Sequence, residues 1–244
     1  MKYSIIIPYR NREEHLLILL PRLQEVFKNK EYEIIISEQG NDDNFQIAIV
    51  ENIGYLHATG DVIVLHQVDY YPTDDVSYEY DGSVTLPAQK GIFLDKGNQE
   101  VRPLEDVPAG YRDFYHEIEP NFYGGVIFMS RDQFEAINGL NPLYKGWGNE
   151  DEDLRERIKW AGLPCKRNEV GTYYCLYHED NGDIHNKDGQ KQQDFHEGRQ
   201  LFVNAYQYKD IGHRHIEYTY KEVATQFNNV KWICSTNYKI KEQC

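Results

Sequence analysis

Tyr3-Ser4-Ile5-Ile6-Ile7-Pro8-Tyr9-Arg10-Asn11-Arg12 is a β-branched run of strand length that stops on a proline and two arginines. Downstream, Leu16, Leu19, Leu20, Leu23 and Phe27 recur at helical spacing, with Pro21 expected to kink the helix. Tyr32–Ile36 reads as a second strand. Phe45, Ala48, Ile49, Asn52, Ile53 and Leu56 then mark one face of a second helix that ends near Gly60, and Val62–His66 makes a third strand. Strand–helix–strand–helix–strand is the pattern of a parallel, doubly wound sheet, which binds ligands at the carboxyl ends of its strands. Arg10 and Arg12 stand at such an end. Their charge is wrong for a helix N-terminus, and forked guanidinium donors suit an anionic ligand. A pair of surface arginines is the plainer alternative.

Further along, Thr73–Pro120 reads as strands and long loops, Gly125–Met129 as a buried strand and Arg131–Asn138 as a short helix. A helix is expected over Glu150–Ala161, a strand over Gly171–Leu176 and a mobile loop over His178–Gln193. No linker divides the chain. A single α/β domain over residues 1–244 is expected.

Composition bounds the function. The net charge of −14 argues against nucleic acid as the partner, because phosphate backbones are gripped by clustered Lys and Arg. It suits an enzyme whose carboxylates hold a cation. Four cysteines, Cys165, Cys175, Cys234 and Cys244, are too few and scattered for a disulfide framework. The apolar N-terminal stretch is too short for a signal peptide or a membrane span. A soluble, cytoplasmic protein is expected.

Two later stretches carry the chemistry. Phe122-Tyr123-Gly124-Gly125-Val126 is followed by Gly146-Trp147-Gly148-Asn149-Glu150-Asp151-Glu152-Asp153-Leu154. An aromatic face, small residues and consecutive carboxylates suit a sugar, with one carboxylate free to take a proton. The acidic run has a bland reading too, since carboxylates complement the positive end of a helix dipole. Asp69, just after the third strand, is a candidate oxygen ligand for Mg²⁺ or Mn²⁺. Cys175 and His178 could share a metal, but a lone pair of this kind is not a zinc signature. His213 and His215 carry no assigned role.

Taken in order, these pieces resemble the metal-dependent β-1,4-galactosyltransferases of the GT-A nucleotide-sugar fold. The resemblance lies in Ile7-Pro8-Tyr9-Arg10-Asn11-Arg12, Gln67-Val68-Asp69, Tyr123-Gly124-Gly125-Val126, Asn138-Gly139-Leu140, Gly146-Trp147-Gly148-Asn149-Glu150-Asp151, and Val170-Gly171 before His178. It implies a Rossmann-like mixed sheet flanked by helices, with a nucleotide-binding half over about residues 1–70 and an acceptor and metal half over about 120–244. It implies an inverting transfer of a hexose, galactose first, from a UDP-sugar to a glycan hydroxyl, with Mn²⁺ or another divalent cation such as Mg²⁺.

By position, the resemblance gives Pro8, Arg10 and Arg12 to the nucleotide and its diphosphate, and Phe45 to the uracil. Gln67, Val68, Gly125 and Trp147 fall on the donor, and Asp69, His178 and Cys175 on the metal. Phe122, Trp147 and Glu150 fall on the acceptor, and Asp151 is the base. Gln67 replaces the first Asp of the family's Asp-Val-Asp, Cys175 a methionine, Phe122 a tyrosine and Asn149 a glycine. These departures leave UDP-GalNAc or UDP-glucose as alternative donors, and a degenerate, non-catalytic nucleotide- or glycan-binding relative as a third reading. Animal members carry a Golgi anchor and disulfides, so a bacterial or viral cytosolic member is expected.

Overall fold

The first strand, β1 (Lys2–Tyr9), lies inside the main sheet, and its alternation fixes both layers. Ile5 and Ile7 point to one face, where helix α1 (Glu13–Val26) packs Leu16, Leu19, Leu20 and Leu23 against them. Ile6 points to the other face, towards helix α2 (Ile47–Leu56). The approach there is close: a Cβ on Gly54 would lie 2.4 Å from Ile6 Cγ2. A strand buried on both sides reads as a continuous apolar run for this reason. This computed structural model describes residues 1–94, 115–118, 122–146, 148–178 and 190–241.

β1 pairs in parallel with β2 (Glu31–Gln39) on one side and with β3 (Val62–His66) on the other. The next strand, β8 (Val126–Ser130), runs antiparallel to β3, in keeping with the mixed sheet that the resemblance implies. The sheet is therefore mixed, in the order β11-β12-β2-β1-β3-β8-β5-β9. Here β5 is Val84–Leu86, β9 is Cys165–Arg167, β11 is Ile216–Val223 and β12 is Val230–Ile240. β11 and β12 form a hairpin, and β12 extends the sheet by running parallel to β2.

A second, four-stranded sheet has the order β4-β10-β6-β7, formed by β4 (Tyr70–Pro72), β6 (Lys90–Phe93), β7 (Tyr115–Glu117) and β10 (Thr172–Cys175). It starts where β3 ends. The amide of Leu176, just past β10, donates to the Asp69 carbonyl at 2.8 Å, so the two sheets meet at Asp69.

Helix α1 continues through Pro21, and Phe45 precedes α2 rather than belonging to it. Leu56, expected on the buried face, is 42% exposed at the helix end. Helix α3 (Arg131–Ala136) starts on Ser130, whose hydroxyl accepts from the Gln133 amide while the Gln133 side chain returns to the Ser130 amide. Helix α4 (Glu150–Trp160) carries the acidic run, and helix α5 (Gln190–Val203) begins inside the segment expected to be loop. The remainder of that loop, at 179–189, lies outside the described residues. Among the described residues no helix is long and apolar enough to cross a membrane.

Candidate active site

The carboxyl ends of β1 and β3 bring the two arginines and Asp69 to one edge of the sheet, as the strand order requires. Arg10 donates to the Asp43 carbonyl and lies over the Phe45 ring, 5.2 Å from its centroid. Arg12 Nη2 is 3.0 Å from His178 Nδ1, and His178 Nε2 is 3.2 Å from Asp69 Oδ2. Because a guanidinium only donates, Nδ1 accepts in this arrangement and Nε2 faces Asp69 with the ring proton. Residues 166 positions apart in the sequence thus meet through one imidazole.

Asp69 and His178 supply an oxygen and a nitrogen within ligand reach of one another. That donor set fits Mg²⁺ or Mn²⁺, which take one or two protein ligands and complete their shell with substrate phosphates and water. Among the described residues no three or more His, Cys, Asp and Glu side chains are grouped so as to hold a metal. Cys175, the third expected ligand, is buried. Burial, with the Asp69 charge beside it, pushes its thiol well above the usual range, and Tyr70 hydrogen-bonds to the sulfur. Ligation there would need that proton to leave.

The glycine stretch forms the next wall. Gly125 has φ +81°, and a Cβ there would sit 2.6 Å from the Tyr70 ring, so only glycine lets the backbone pass. The Phe122 ring folds over Gly124, and Phe122 is half-buried. Pro8 and Val68 are buried at their strand ends. Trp147 lies outside the described residues.

The acidic run divides its labour. Asn149 occupies the N-cap in the left-handed region, φ 72°, without a side-chain capping bond. The Glu150 carboxylate is held by the backbone amides of Gly148 and Glu150 itself, yet its Oε2 is buried with no partner. Burial, reinforced by the Asp151 charge, pushes Glu150 up to about 7. Asp151 Oδ1 accepts from the Glu152 amide at 2.9 Å, and burial raises its pKa as well. Asp153 faces inward and forms a buried ion pair with Arg157 at 2.6 Å. Glu150 and Asp151 thus accept from backbone amides at the helix start and also line the site, while Asp153 serves the packing of the helix.

Glu150, Asp151, Gln67 and Gly125 line one cavity of about 30 Å³. Two further contributors escaped the sequence reading. Glu51, on α2, lines the same cavity and is only 5% exposed. Its signal lay in Ile47-Ala48-Ile49-Val50-Glu51-Asn52-Ile53-Gly54-Tyr55-Leu56, where the one carboxylate stands in a helix that is apolar but for Asn52 beside it. The other is Tyr238 on β12, whose hydroxyl is 3.1 Å from Gln46 Nε2, close to Phe45 and Arg10. His15 also matters: its Nε2 is 2.9 Å from the Tyr177 carbonyl, steadying the residue before His178.

A family model described as the N-terminal region of glycosyl transferase group 7 matches residues 1–81. Another, described as the N-terminal domain of galactosyltransferase, matches residues 110–179. Among curated proteins, the β-N-acetyl-D-glucosaminide β-1,4-N-acetylglucosaminyltransferase of Lymnaea stagnalis is 35% identical over 189 residues, 74% of this chain and 35% of the relative. Mouse β-1,4-galactosyltransferase 4 is 32% identical over 185 residues, 72% of this chain and 48% of the relative. The chain thus spans between about a third and a half of the length of these two relatives.

Among solved structures, the catalytic domain of Drosophila β-1,4-galactosyltransferase 7 with xylobiose superposes at a TM-score of 0.67. It is 23% identical and the match covers 100% of this chain and 94% of that one. A mutant of that enzyme, solved with manganese, UDP-Gal and xylobiose, superposes at 0.66 with 22% identity and the same coverage of both chains. At such identity the likeness establishes the fold, a GT-A glycosyltransferase fold.

Proposed function

The chain belongs to the β-1,4-galactosyltransferase family, and from that premise we propose that it is an inverting, metal-dependent glycosyltransferase. It moves a hexose, galactose first, from a UDP-sugar to a sugar hydroxyl of a glycan acceptor. The observation that carries the reading is the shared cavity, where Asp151 and Glu150 from α4 face Gln67 and Gly125 from the ends of β3 and β8.

The roles follow from position and chemistry. Arg10 and Arg12, beside Pro8, hold the diphosphate through charge-assisted hydrogen bonds, and Phe45, already stacked under Arg10, receives the uracil. Gln67, Val68 and Gly125 bound the donor sugar. Phe122, Trp147 and Glu150 hold the acceptor. Residues 1–70 are in this reading the nucleotide-binding half and residues 120–244 the acceptor and metal half. Asp69 and His178, with Cys175 behind them, hold the divalent cation. When bound, Mn²⁺ or Mg²⁺ stabilises the charge that develops on the departing diphosphate.

Asp151 takes the proton of the acceptor hydroxyl as the acceptor oxygen bonds to the anomeric carbon, while the bond from that carbon to the diphosphate breaks on the opposite side. A raised carboxylate pKa makes a stronger base, and burial provides that rise at Asp151. Cys165, Cys175 and Cys234 are free thiols, which suits a reducing compartment, and the cytoplasm is the setting this reading implies.

The alternative donors are UDP-GalNAc and UDP-glucose, and the Lymnaea relative is named for the transfer of an N-acetylated sugar. Release of UDP from a panel of UDP-sugars with Mn²⁺, with and without simple acceptors, separates the donors. Binding without turnover would instead identify a degenerate relative. Asp151→Asn should abolish transfer while leaving UDP binding nearly intact, and unchanged transfer by that variant would refute the base.

A further inference from the structure

Glu51 is a carboxylate without a structural employer. It is 5% exposed, and among the described residues no hydrogen bond or ion pair reaches it. Its neighbour Asn52 shows the contrast: the Asn52 side chain is fully engaged, donating to the Leu140 carbonyl at 2.8 Å and accepting from the Leu140 amide at 3.0 Å. Burying a carboxylate with nothing opposite it is costly, and a core position would be better filled by leucine. The cavity it lines is apolar at Leu65, Ile127 and Leu154 and polar at Gln67, Glu150 and Asp151. Glu150 Oε2, in the same cavity, is also buried and unpartnered.

The unpartnered Glu150 Oε2 and the Glu51 carboxyl group, facing one cavity, call for a ligand that brings donors. Phosphate would find no cationic side chain among the lining residues. A cation would need ionised carboxylates, and burial holds Glu51 and Glu150 towards the protonated form. Sugar hydroxyls remain, and a volume of about 30 Å³ takes one or two water-sized groups. A hydroxyl fits such a space, whereas an acetamido group with its four heavy atoms does not.

We propose that Glu51 is a specificity-determining residue of the donor site, its carboxyl group taking a ring hydroxyl of the transferred hexose at the cavity shared with Glu150 and Gln67, and excluding an N-acetylated sugar. The inference rests on the reading of the chain as a UDP-sugar transferase. Glu51 keeps the proton more readily than an ordinary glutamate, because burial and the Glu150 charge push it up to about 8. It can therefore donate to a hydroxyl oxygen as well as accept.

The test compares the full chain with Glu51→Leu and Glu51→Gln, measuring kcat/KM for UDP-galactose and UDP-N-acetylgalactosamine with Mn²⁺. Glu51→Leu should lower kcat/KM for UDP-galactose about 10- to 100-fold, the usual consequence of removing a buried partner of a substrate hydroxyl, and should move the donor ratio towards the N-acetylated sugar. Glu51→Gln, the same shape and still polar, should fall between. Both variants should melt at or above the wild-type temperature, because the carboxylate is carried at a cost to the fold.

A donor ratio unchanged in both variants, with the wild type active, overturns this inference and leaves the transferase reading intact. Lowered melting temperatures in both variants would mean a structural role and overturn it too. A wild type that turns over no UDP-sugar removes the transferase reading, and the role of Glu51 falls with it. If Glu51→Leu does not fold, the donor ratio of Glu51→Gln decides.

Discussion

Replacing Arg157 by methionine should cost the protein about 4 kcal/mol of stability, at the severe end of what single substitutions do. The Arg157 and Asp153 side chains are each 1% exposed and meet at 2.6 Å, four residues apart on α4. Methionine keeps most of the volume but none of the charge. Asp153 is then left in the interior with the Tyr144 hydroxyl at 3.3 Å as its main partner. Breaking a buried pair from one side costs about 3–5 kcal/mol, because the stranded charge keeps its desolvation penalty.

The guanidinium has a second task that pushes the estimate upward within that range. Its two terminal nitrogens reach five backbone carbonyls, those of Ile137, Gly139, Tyr208, Lys209 and Ile211, at 2.8–3.4 Å. These belong to the turn after α3 and to the segment after α5, so one side chain ties both to the helix that presents Glu150 and Asp151. Asp153→Asn should be milder, since Arg157 keeps the carbonyls. Asp153→Leu combined with Arg157→Met should recover part of the loss by removing the lone charge, though the carbonyls stay unsatisfied.

Guanidinium chloride unfolding followed by tryptophan fluorescence measures the wild type, Arg157→Met, Asp153→Asn, Asp153→Leu and the double variant, with the slope m checked for constancy. A loss below about 1 kcal/mol for Arg157→Met, the value typical of exposed pairs, would refute the reasoning. So would a double variant as unstable as the sum of its singles.

Asp69→Ala and His178→Ala should each abolish the Mn²⁺ dependence of UDP release together with most donor affinity, and a fully active, metal-independent variant would contradict the metal assignment. Gly125→Ala should cost about 1–2 kcal/mol for its left-handed backbone alone. The Tyr70 ring at 2.6 Å adds to that, and transfer should be lost as the donor wall shifts; an unchanged melting temperature and rate would refute it. Glu51 and Glu150 have folded pKa values of about 8 and about 7 against an ordinary 4.5. The native state thus binds these protons more tightly than the unfolded chain, and their contribution to stability is complete below about pH 4.5 and is lost as pH rises through 7 and 8. The stability difference between wild type and Glu51→Gln should therefore move against the wild type between pH 5 and 8.5, and a pH-independent difference would refute the shift.

The first half of the fold was legible because its strands are buried on both faces and α1 on one, so period and burial coincide there, while α2, buried from Ala48 to Tyr55, was read from its apolar content. Strand β8 was legible as a strand but not in direction. Apolar content is the same for either orientation, and the long connection from β3 leaves both open. The hairpin of β11 and β12 went unread although Ile216-Glu217-Tyr218-Thr219-Tyr220-Lys221 alternates; β11 exposes most of its residues and β12 buries only a short central stretch, so little apolar content sets the pair apart. Among the candidate site residues, those that sit in motifs stood out in the sequence: Arg10, Arg12, Asp69, Gly125, Glu150, Asp151 and His178. Glu51 and Tyr238 reach it from elements whose other residues look purely structural. A glutamate on a helix is ordinarily solvated, and only the apolar character of α2, broken by Asn52 alone, marked this one.

Gln67 gains meaning from that placement. The resemblance puts a carboxylate at position 67, and the amide there removes one negative charge from the donor side. Glu51 lines the same cavity and brings a carboxyl group from α2, away from the Asp69 and His178 pair. An amide at the strand end and a carboxylate on the helix share the polar count differently from two aspartates beside the metal. The cation side then holds fewer anionic groups, and the sugar side holds one more carboxyl group. Glu51 and Glu150, both pushed up towards neutrality, need not carry two full charges at once, as two close carboxylates in a dry site share protons rather than ionise together. The added carboxylate therefore increases hydrogen-bonding capacity towards hydroxyls with little added repulsion towards the diphosphate. Selectivity for an unmodified hexose is the property such a redistribution would tune.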